Sequence, residues 1–313
     1  MSCADDHDTE SHAAEAAFWD MHEQRLPSLY ARPHDWRLVP RLAESLLRPR
    51  HRFMRRVMRR HAADVGTLLD VGCGNGWFCH AAARAGIHAI GVDVSEVKIE
   101  AARRLAREQG VESSCEFHVR DIAEFSPPSP VDLIVSLGSL HHLPDLEHVL
   151  PAILERTLRR GGLVLLCEPH HEGMAPWLEK FVTWFANFRG GAYFDTDLYA
   201  RATSGDAATD VNVRGESPAG REFFGTQVAM ADVVRTLGLE ALEVRFFFYA
   251  AGHLANIGYV YMRLRLVRAL TRLASPLLAE LDAMLCRWPR IARHAGEAVW
   301  TGRWCGPSDR RDG

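Results

Sequence analysis

Glycine stands at every second position of Gly72-Cys73-Gly74-Asn75-Gly76, just after the apolar run Thr67-Leu-Leu-Asp-Val71. Glycines in such a turn let the backbone adopt unusual dihedrals and approach a ligand with no Cβ in the way. Two carboxylates lie further on: Asp93 closes the apolar run 88–92, and Asp121 follows the run 114–119. A carboxylate at the end of the second strand can accept two hydrogen bonds from ribose hydroxyls. Two histidine pairs, His141-His142 and His170-His171, follow later apolar runs, and histidine is the usual general base near neutral pH. Each pair also has a plainer reading, the first as packing and capping at a loop start, the second as exposed loop.

These groups need a scaffold, and the hydrophobic pattern supplies one. Strands are predicted over 67–71, 88–92, 114–119, 131–136 and 163–167. Helices fall between them over 77–85, 96–109 and 146–158, with Gly86, Gly110 and Gly161-Gly162 as stops. Strands joined by helix-length crossovers make a parallel sheet covered on both faces, an α/β doubly wound fold, with ligands held outside the carboxyl ends of the strands. Further strands are predicted over 242–249 and 298–304, pairing antiparallel at the sheet edge with one or two basic amphipathic helices (about 256–293) inserted between them. Upstream, 13–26 reads as a helix, and 36–61 has helical spacing with a break near Pro49. The arginines from Arg48 to Arg60 read as the solvated face of a helix beside the first strand rather than as a phosphate-binding stripe. The chain divides into a disordered tail (1–12), N-terminal helices (13–66), a core (67–169), an aromatic lid or substrate wall (170–235), the final strands with their helical insertion (236–304) and a tail (305–313).

Composition narrows the function. The 313 residues are 47% hydrophobic and 25% charged, with a formal net charge of -3, so no global field marks nucleic acid as a partner. The seven cysteines are scattered without CxxC spacing, so neither a disulfide framework nor a zinc site is expected, and no metal is assigned. With no signal-peptide pattern and no apolar run long enough to span a bilayer, a cytoplasmic location is expected.

The turn discriminates between cofactors. A dinucleotide site places a third glycine where this chain has Trp77. Asp70, in the approach to the turn, is badly placed for a pyrophosphate and well placed for a cationic aminoacyl group. Three carboxylates around the glycines suit a ligand with ammonium and sulfonium charges and no phosphate. Here the sequence resembles the class I S-adenosylmethionine-dependent methyltransferases of the small-molecule kind. The likeness runs from about Thr67 to Pro169 and rests on five stretches in order: Leu69-Asp-Val-Gly-Cys-Gly-Asn-Gly76, Gly91-Val-Asp-Val-Ser95, Arg120-Asp-Ile122, Asp132-Leu-Ile-Val-Ser-Leu-Gly-Ser-Leu-His-His-Leu143 and Leu158-Arg-Arg-Gly-Gly-Leu-Val-Leu165.

By that resemblance the fold is a seven-stranded, mostly parallel, Rossmann-like sheet with an antiparallel last strand and helical lid insertions. The cofactor is S-adenosyl-L-methionine. Its methionine end is expected against Asp70, the turn Gly72, Cys73, Gly74 and Gly76, and the backbone of Leu137 and Gly138. Its ribose falls on Asp93, and its adenine between Val94, Asp121 and Ile122. His141, His142 and His170 are the candidate catalytic bases. The loop after the fourth strand, Ser136-Leu-Gly-Ser139, lacks the Asp/Asn-Pro-Pro-aromatic motif of amino-methylating DNA enzymes, and nucleic acid is rejected as a substrate. The aromatic stretch from Trp177 to Phe224 points to a hydrophobic or aromatic small-molecule acceptor, methylated at oxygen in preference to carbon or nitrogen. Residues 261–284 carry arginines on a leucine-rich background. They read as a helix lying over the sheet with solvated arginines, with weak peripheral membrane contact as the alternative. A different class of function, cofactor binding for a cyclase or as a non-catalytic partner, stays open beside methyl transfer.

Overall fold

Short strands whose neighbouring side chains point to opposite faces build the centre of the molecule. The computed structural model describes residues 39–170, 230–251 and 264–306, with the single positions Ala16, Ala17, Asp20, Trp177, Lys180, Phe181, Trp184 and Leu254. In chain order the elements are α1 (Val39–His61), β1 (Thr67–Val71), α2 (Trp77–Ala83), β2 (His88–Asp93), α3 (Glu96–Glu108), β3 (Cys115–Val119), β4 (Val131–Leu137), α4 (Leu146–Thr157) and β5 (Leu158–Pro169). After the undescribed stretch come α5 (Met230–Thr236), β6 (Glu240–Phe247), α6 (Arg265–Leu285), α7 (Pro289–Ala292) and β7 (Glu297–Trp304). The seven strands lie in the order β3-β2-β1-β4-β5-β7-β6. Strands β1 to β5 pair in parallel, and β7 runs antiparallel to both β5 and β6. The expected final hairpin is therefore present, and its last strand inserts between β5 and β6.

Alternation assigns each face its helices. Leu68, Leu133, Val135, Leu163 and Leu165 meet Met54, Val57 and Met58 of α1, Phe78 of α2 and Ile99 of α3. Leu69, Ile134, Val164 and Leu166 point the other way, onto Leu150 and Ile153 of α4 and Val233 and Val234 of α5. The chain enters β1 under control of one side chain. Asp132 Oδ2 accepts the N–H groups of Gly66 and Thr67 at 2.8 and 2.9 Å, and its Oδ1 pairs with Arg159 at 2.5 Å.

Several expected boundaries move, each for a physical reason. No break occurs at Pro49: α1 runs through it, and Pro49 is buried. Proline costs this helix one hydrogen bond. Beyond Pro49 the helix is held by buried Met54 and Met58, worth about 2 kcal/mol each, and by Arg50 on Glu297 and Arg52 on Glu280. The Arg48–Arg60 cluster is thus not one solvated face. The Arg50 side chain is 13% exposed, and although burial alone would lower its pKa, Glu297 and Cys167 beside it hold it raised. Strand β3 begins at Cys115 because Glu112–Ser114 forms a 3₁₀ turn. Strand β5 starts at Leu158, five residues earlier than expected, because a register shift between Val131 and Leu133 absorbs Arg159 to Gly162. Strand β6 stops at Phe247 because Phe248 takes a left-handed φ of 64°. The next three N–H groups, of Tyr249, Ala250 and Ala251, turn to the Asp282 carboxylate at 3.0, 2.7 and 3.0 Å.

The helix expected over 13–26 lies outside the described residues except at Ala16, Ala17 and Asp20. The lid over 170–235 does so too, except at its two ends and at Trp177, Lys180, Phe181 and Trp184.

Candidate functional site

The glycine turn leaves the carboxyl end of β1, and its glycines answer different constraints. A Cβ on Gly72 would stand 2.3 Å from Ser139 Cβ, and one on Gly76 would stand 2.9 Å from the Phe117 ring. Those two glycines permit close packing against the β4 loop and β3. Gly74 and Gly138 have φ of 53° and 68°, with nothing within 4 Å of an added Cβ. They open onto the space beyond the strand ends, where backbone can approach a ligand. The Cys73 side chain lies in the core cluster, so only its backbone faces that space.

The carboxylates gather round this turn. Asp93 Oδ2 accepts the Gly74 N–H at 2.8 Å and Oδ1 accepts the Ser95 N–H at 2.9 Å, leaving each oxygen a further lone pair. Val94 beside it is half-buried. Asp121 Oδ1 accepts the Ala123 N–H at 2.8 Å, next to buried Ile122. Asp70 is fully buried. Its Oδ2 takes the Cys79 thiol at 3.5 Å, and its Oδ1 has no hydrogen-bond partner among the described residues. Burial pushes the Asp70 carboxyl up to about 7, with Asp93 adding to the effect and Cys79 opposing it. A buried, unsatisfied carboxylate oxygen behind an open glycine turn fits a ligand with a cationic head.

The loop after β4 carries the two adjacent histidines. Glu168, fully buried near the end of β5, accepts from Ser136 Oγ at 2.7 Å and from the N–H groups of Ser139 and Leu140 at 3.2 and 3.1 Å. Its other oxygen meets His141 Nδ1 at 2.8 Å. Ser139 Oγ donates to the Val71 carbonyl at 2.5 Å, joining this loop to the glycine turn. The half-exposed Leu137 and exposed Gly138 lie between them. The His142 ring lies 4.0 Å from that of His141. Burial, then His141 and Lys98, lowers its pKa to about 2, so it is neutral at physiological pH. The His170 ring packs on Phe246 at 4.8 Å and Trp300 at 6.3 Å, side chains of the paired strands β6 and β7.

Sequence reasoning passed over Ser136, Ser139, Glu168 and Asp20. A glutamate closing the apolar run 163–167 was a usable signal, because a charge there must be buried and therefore paired. Asp20 had no such signal. It receives the Ser95 hydroxyl and, at 3.4 Å, the Val97 N–H, which places Asp20 beside the Asp93 loop. Among the described residues no group of three or more His, Cys, Asp or Glu could hold a metal. No helix among them is long and apolar enough to cross a membrane.

A methyltransferase-domain family model matches residues 63–211. Ajmaline N-methyltransferase of Rauvolfia serpentina is 32% identical over 111 residues, covering 35% of this chain and 38% of that protein. Ubiquinone biosynthesis O-methyltransferase of Maricaulis maris is 33% identical over 98 residues, 31% of this chain and 38% of that protein. The 27-O-demethylrifamycin SV methyltransferase of Amycolatopsis mediterranei is 37% identical over 101 residues, 32% of this chain and 37% of that protein. The chain thus spans less than two-fifths of the length of these curated relatives.

Proposed function

The chain belongs to the class I S-adenosylmethionine-dependent methyltransferases through its domain over residues 63–211, and we propose that it methylates a hydrophobic small molecule, preferentially at oxygen. The observation that carries this reading is the pairing of Asp93 with Gly74 at 2.8 Å, beside the open glycine backbone. In this reading Asp93 takes the ribose hydroxyls, and Val94, Asp121 and Ile122 flank the adenine. Asp70, the turn from Gly72 to Gly76 and the backbone of Leu137 and Gly138 surround the methionine end.

When bound, S-adenosylmethionine supplies a methyl group already activated on a sulfonium. The residues of the chain then align an acceptor and keep water away, and orientation of this kind lowers a barrier by several kcal/mol. His141 is the base. Glu168 accepts its Nδ1–H at 2.8 Å and orients the ring, and the imidazole takes the proton of an acceptor hydroxyl. Neutral His142 adds no positive charge beside a sulfonium site. Support for a hydrophobic acceptor comes from Trp177, Phe181 and Trp184, at helical spacing and 46 to 55% exposed. N- and O-methyltransferases both occur among the relatives, so nitrogen is the runner-up acceptor atom.

The test has two parts. S-adenosylhomocysteine should raise the melting temperature of the wild type, and Asp93→Ala should abolish the rise; an undiminished rise removes Asp93 from the ribose. Labelled S-adenosylmethionine, offered with a panel of hydroxylated aromatics and isoprenoids, should transfer label to product. Acceptor turnover without release of S-adenosylhomocysteine would point instead to a cyclase using the same fold.

A further inference from the structure

The longest helix of the C-terminal region, expected to lie over the sheet with solvated arginines, also turns large leucines to the surface. Helix α6 covers 21 residues, about 32 Å. Its inner stripe against the protein is Ser275, Ala279, Asp282 and Cys286, small or polar residues that are all buried. Asp282 fixes that orientation by accepting the three N–H groups after β6. The outer stripe is Leu266, Leu270, Leu273, Leu277, Leu281 and Trp288, between 46% and 77% exposed. Spacings of three and four residues place the five leucines on one continuous face, and Trp288 follows just past the end of the helix. Such a run of large apolar groups on a surface marks an interaction site.

The charge around the stripe identifies the occupant. Residues 265–293 hold six arginines and two carboxylates, and both carboxylates are engaged within the protein, Glu280 by Arg52 and Asp282 by backbone N–H groups. Arg265, Arg287, Arg290 and Arg293 are exposed on the rim. A cavity of about 340 Å³ opens between α1, β6 and the end of α6, lined by Arg52, Arg56, Arg60, Arg245 and Arg287. Its two carboxylates pair with Arg52, Arg60 and Arg245, so Arg56 and Arg287 have no carboxylate partner among the described residues. Met284, 57% exposed, also lines this cavity, and there the apolar face and the cationic recess meet. A second copy of the chain seated on this face would set the arginine rim against itself.

We propose that the outer face of α6 is a membrane-docking surface: the leucine stripe enters the interface of an anionic phospholipid bilayer while the rim and the Arg56–Arg287 recess hold lipid phosphates. An in-plane helix with an apolar face and flanking arginines binds through apolar burial and attraction to anionic lipid together. This inference stands on α6 and the arginine-lined recess beside it, and it holds whatever the methyl acceptor is.

The test is co-flotation of the full chain with vesicles of phosphatidylcholine, or of an equimolar mixture of phosphatidylcholine and phosphatidylglycerol. The wild type should bind the mixed vesicles and lose binding as salt is raised. L273E/L277E should weaken that binding at least about tenfold, and R287E/R290E should weaken it while flattening the salt dependence. Melting temperature and its response to S-adenosylhomocysteine should be unchanged in both variants, which separates a docking defect from misfolding or loss of cofactor binding. Equal binding to neutral and mixed vesicles, or full binding by L273E/L277E, overturns the proposal. So does a concentration-dependent dimer that L273E/L277E dissolves, in the absence of vesicle binding.

Discussion

Glu168 holds His141 by Nδ1 at 2.8 Å, with the glutamate fully buried and the histidine 4% exposed. The second oxygen of the same carboxylate gathers Ser136 Oγ and the N–H groups of Ser139 and Leu140, so the end of β5 fixes the shape of the loop after β4. Glu168→Gln should separate these two tasks. An amide keeps one acceptor for the loop but presents N–H to His141 and favours the opposite tautomer. Stability should fall by about 1–3 kcal/mol. If His141 is the base, kcat should fall by roughly 10²–10⁴ while the S-adenosylhomocysteine melting shift persists. Unchanged kcat in both Glu168→Gln and His141→Gln would remove the pair from the chemistry.

Two glycines of the turn should respond differently to the same substitution. Gly72→Ala drives a methyl into Ser139 at a φ of 66°, combining backbone strain of about 1 kcal/mol with overpacking of about 1–3 kcal/mol. Gly74→Ala meets nothing within 4 Å and bears only the backbone term, again about 1 kcal/mol. Denaturant unfolding should rank Gly72→Ala as the more destabilised. Cofactor titration should show Gly74→Ala weakened out of proportion to its small loss of stability. The pair G72A/S139G should recover the overpacking share, a non-additivity that independent sites do not show.

Asp282 makes a separate prediction about the helix that covers the β6 turn. Its carboxylate is the acceptor for three consecutive N–H groups, and alanine leaves them without it, those of Ala250 and Ala251 buried. Asp282→Ala should cost about 3 kcal/mol or more by urea unfolding. Amide exchange at Tyr249, Ala250 and Ala251 should accelerate before that of β4 or β5.

Short apolar runs bounded by turn residues and glycine stops made β1, β2, β4 and the final hairpin legible, because a strand covered on both faces must be apolar along most of its length. The glycine turn was legible for a related reason, since few residues other than glycine tolerate those dihedrals. What escaped depended on long-range partners. Pro49 reads locally as a break, and buried Met54 and Met58 with Arg50 on Glu297 and Arg52 on Glu280 show why the helix continues. The amphipathic pattern of 265–285 gives two faces but not which one is inward, and Asp282, reached from residues 249–251, decides it. Glu168 reads as the end of a strand until the loop 136–141 folds over it.

The pH response of Asp70 gives the last prediction, and its sign follows from its burial. The carboxyl is raised from 3.8 to about 7 in the folded protein, so between those values the native state holds a proton that the unfolded chain has released. The contribution of Asp70 to stability is therefore fully present below about pH 4 and is lost as pH rises through 7. His142 acts in the opposite direction. Its pKa drops from 6.5 to about 2, so its contribution is present above pH 6.5 and is lost as pH falls. The two overlap between about pH 4 and 6.5, so the wild-type curve alone does not separate them. The difference between wild type and Asp70→Asn does, because His142 is common to both. Relative to the variant, the wild type should lose a few kcal/mol between pH 4 and 7. S-adenosylhomocysteine should shrink that loss if the ammonium of its methionine end lies against Asp70, since a cation there favours the ionised carboxylate. A loss of the same size with and without ligand would place the methionine end elsewhere in the turn.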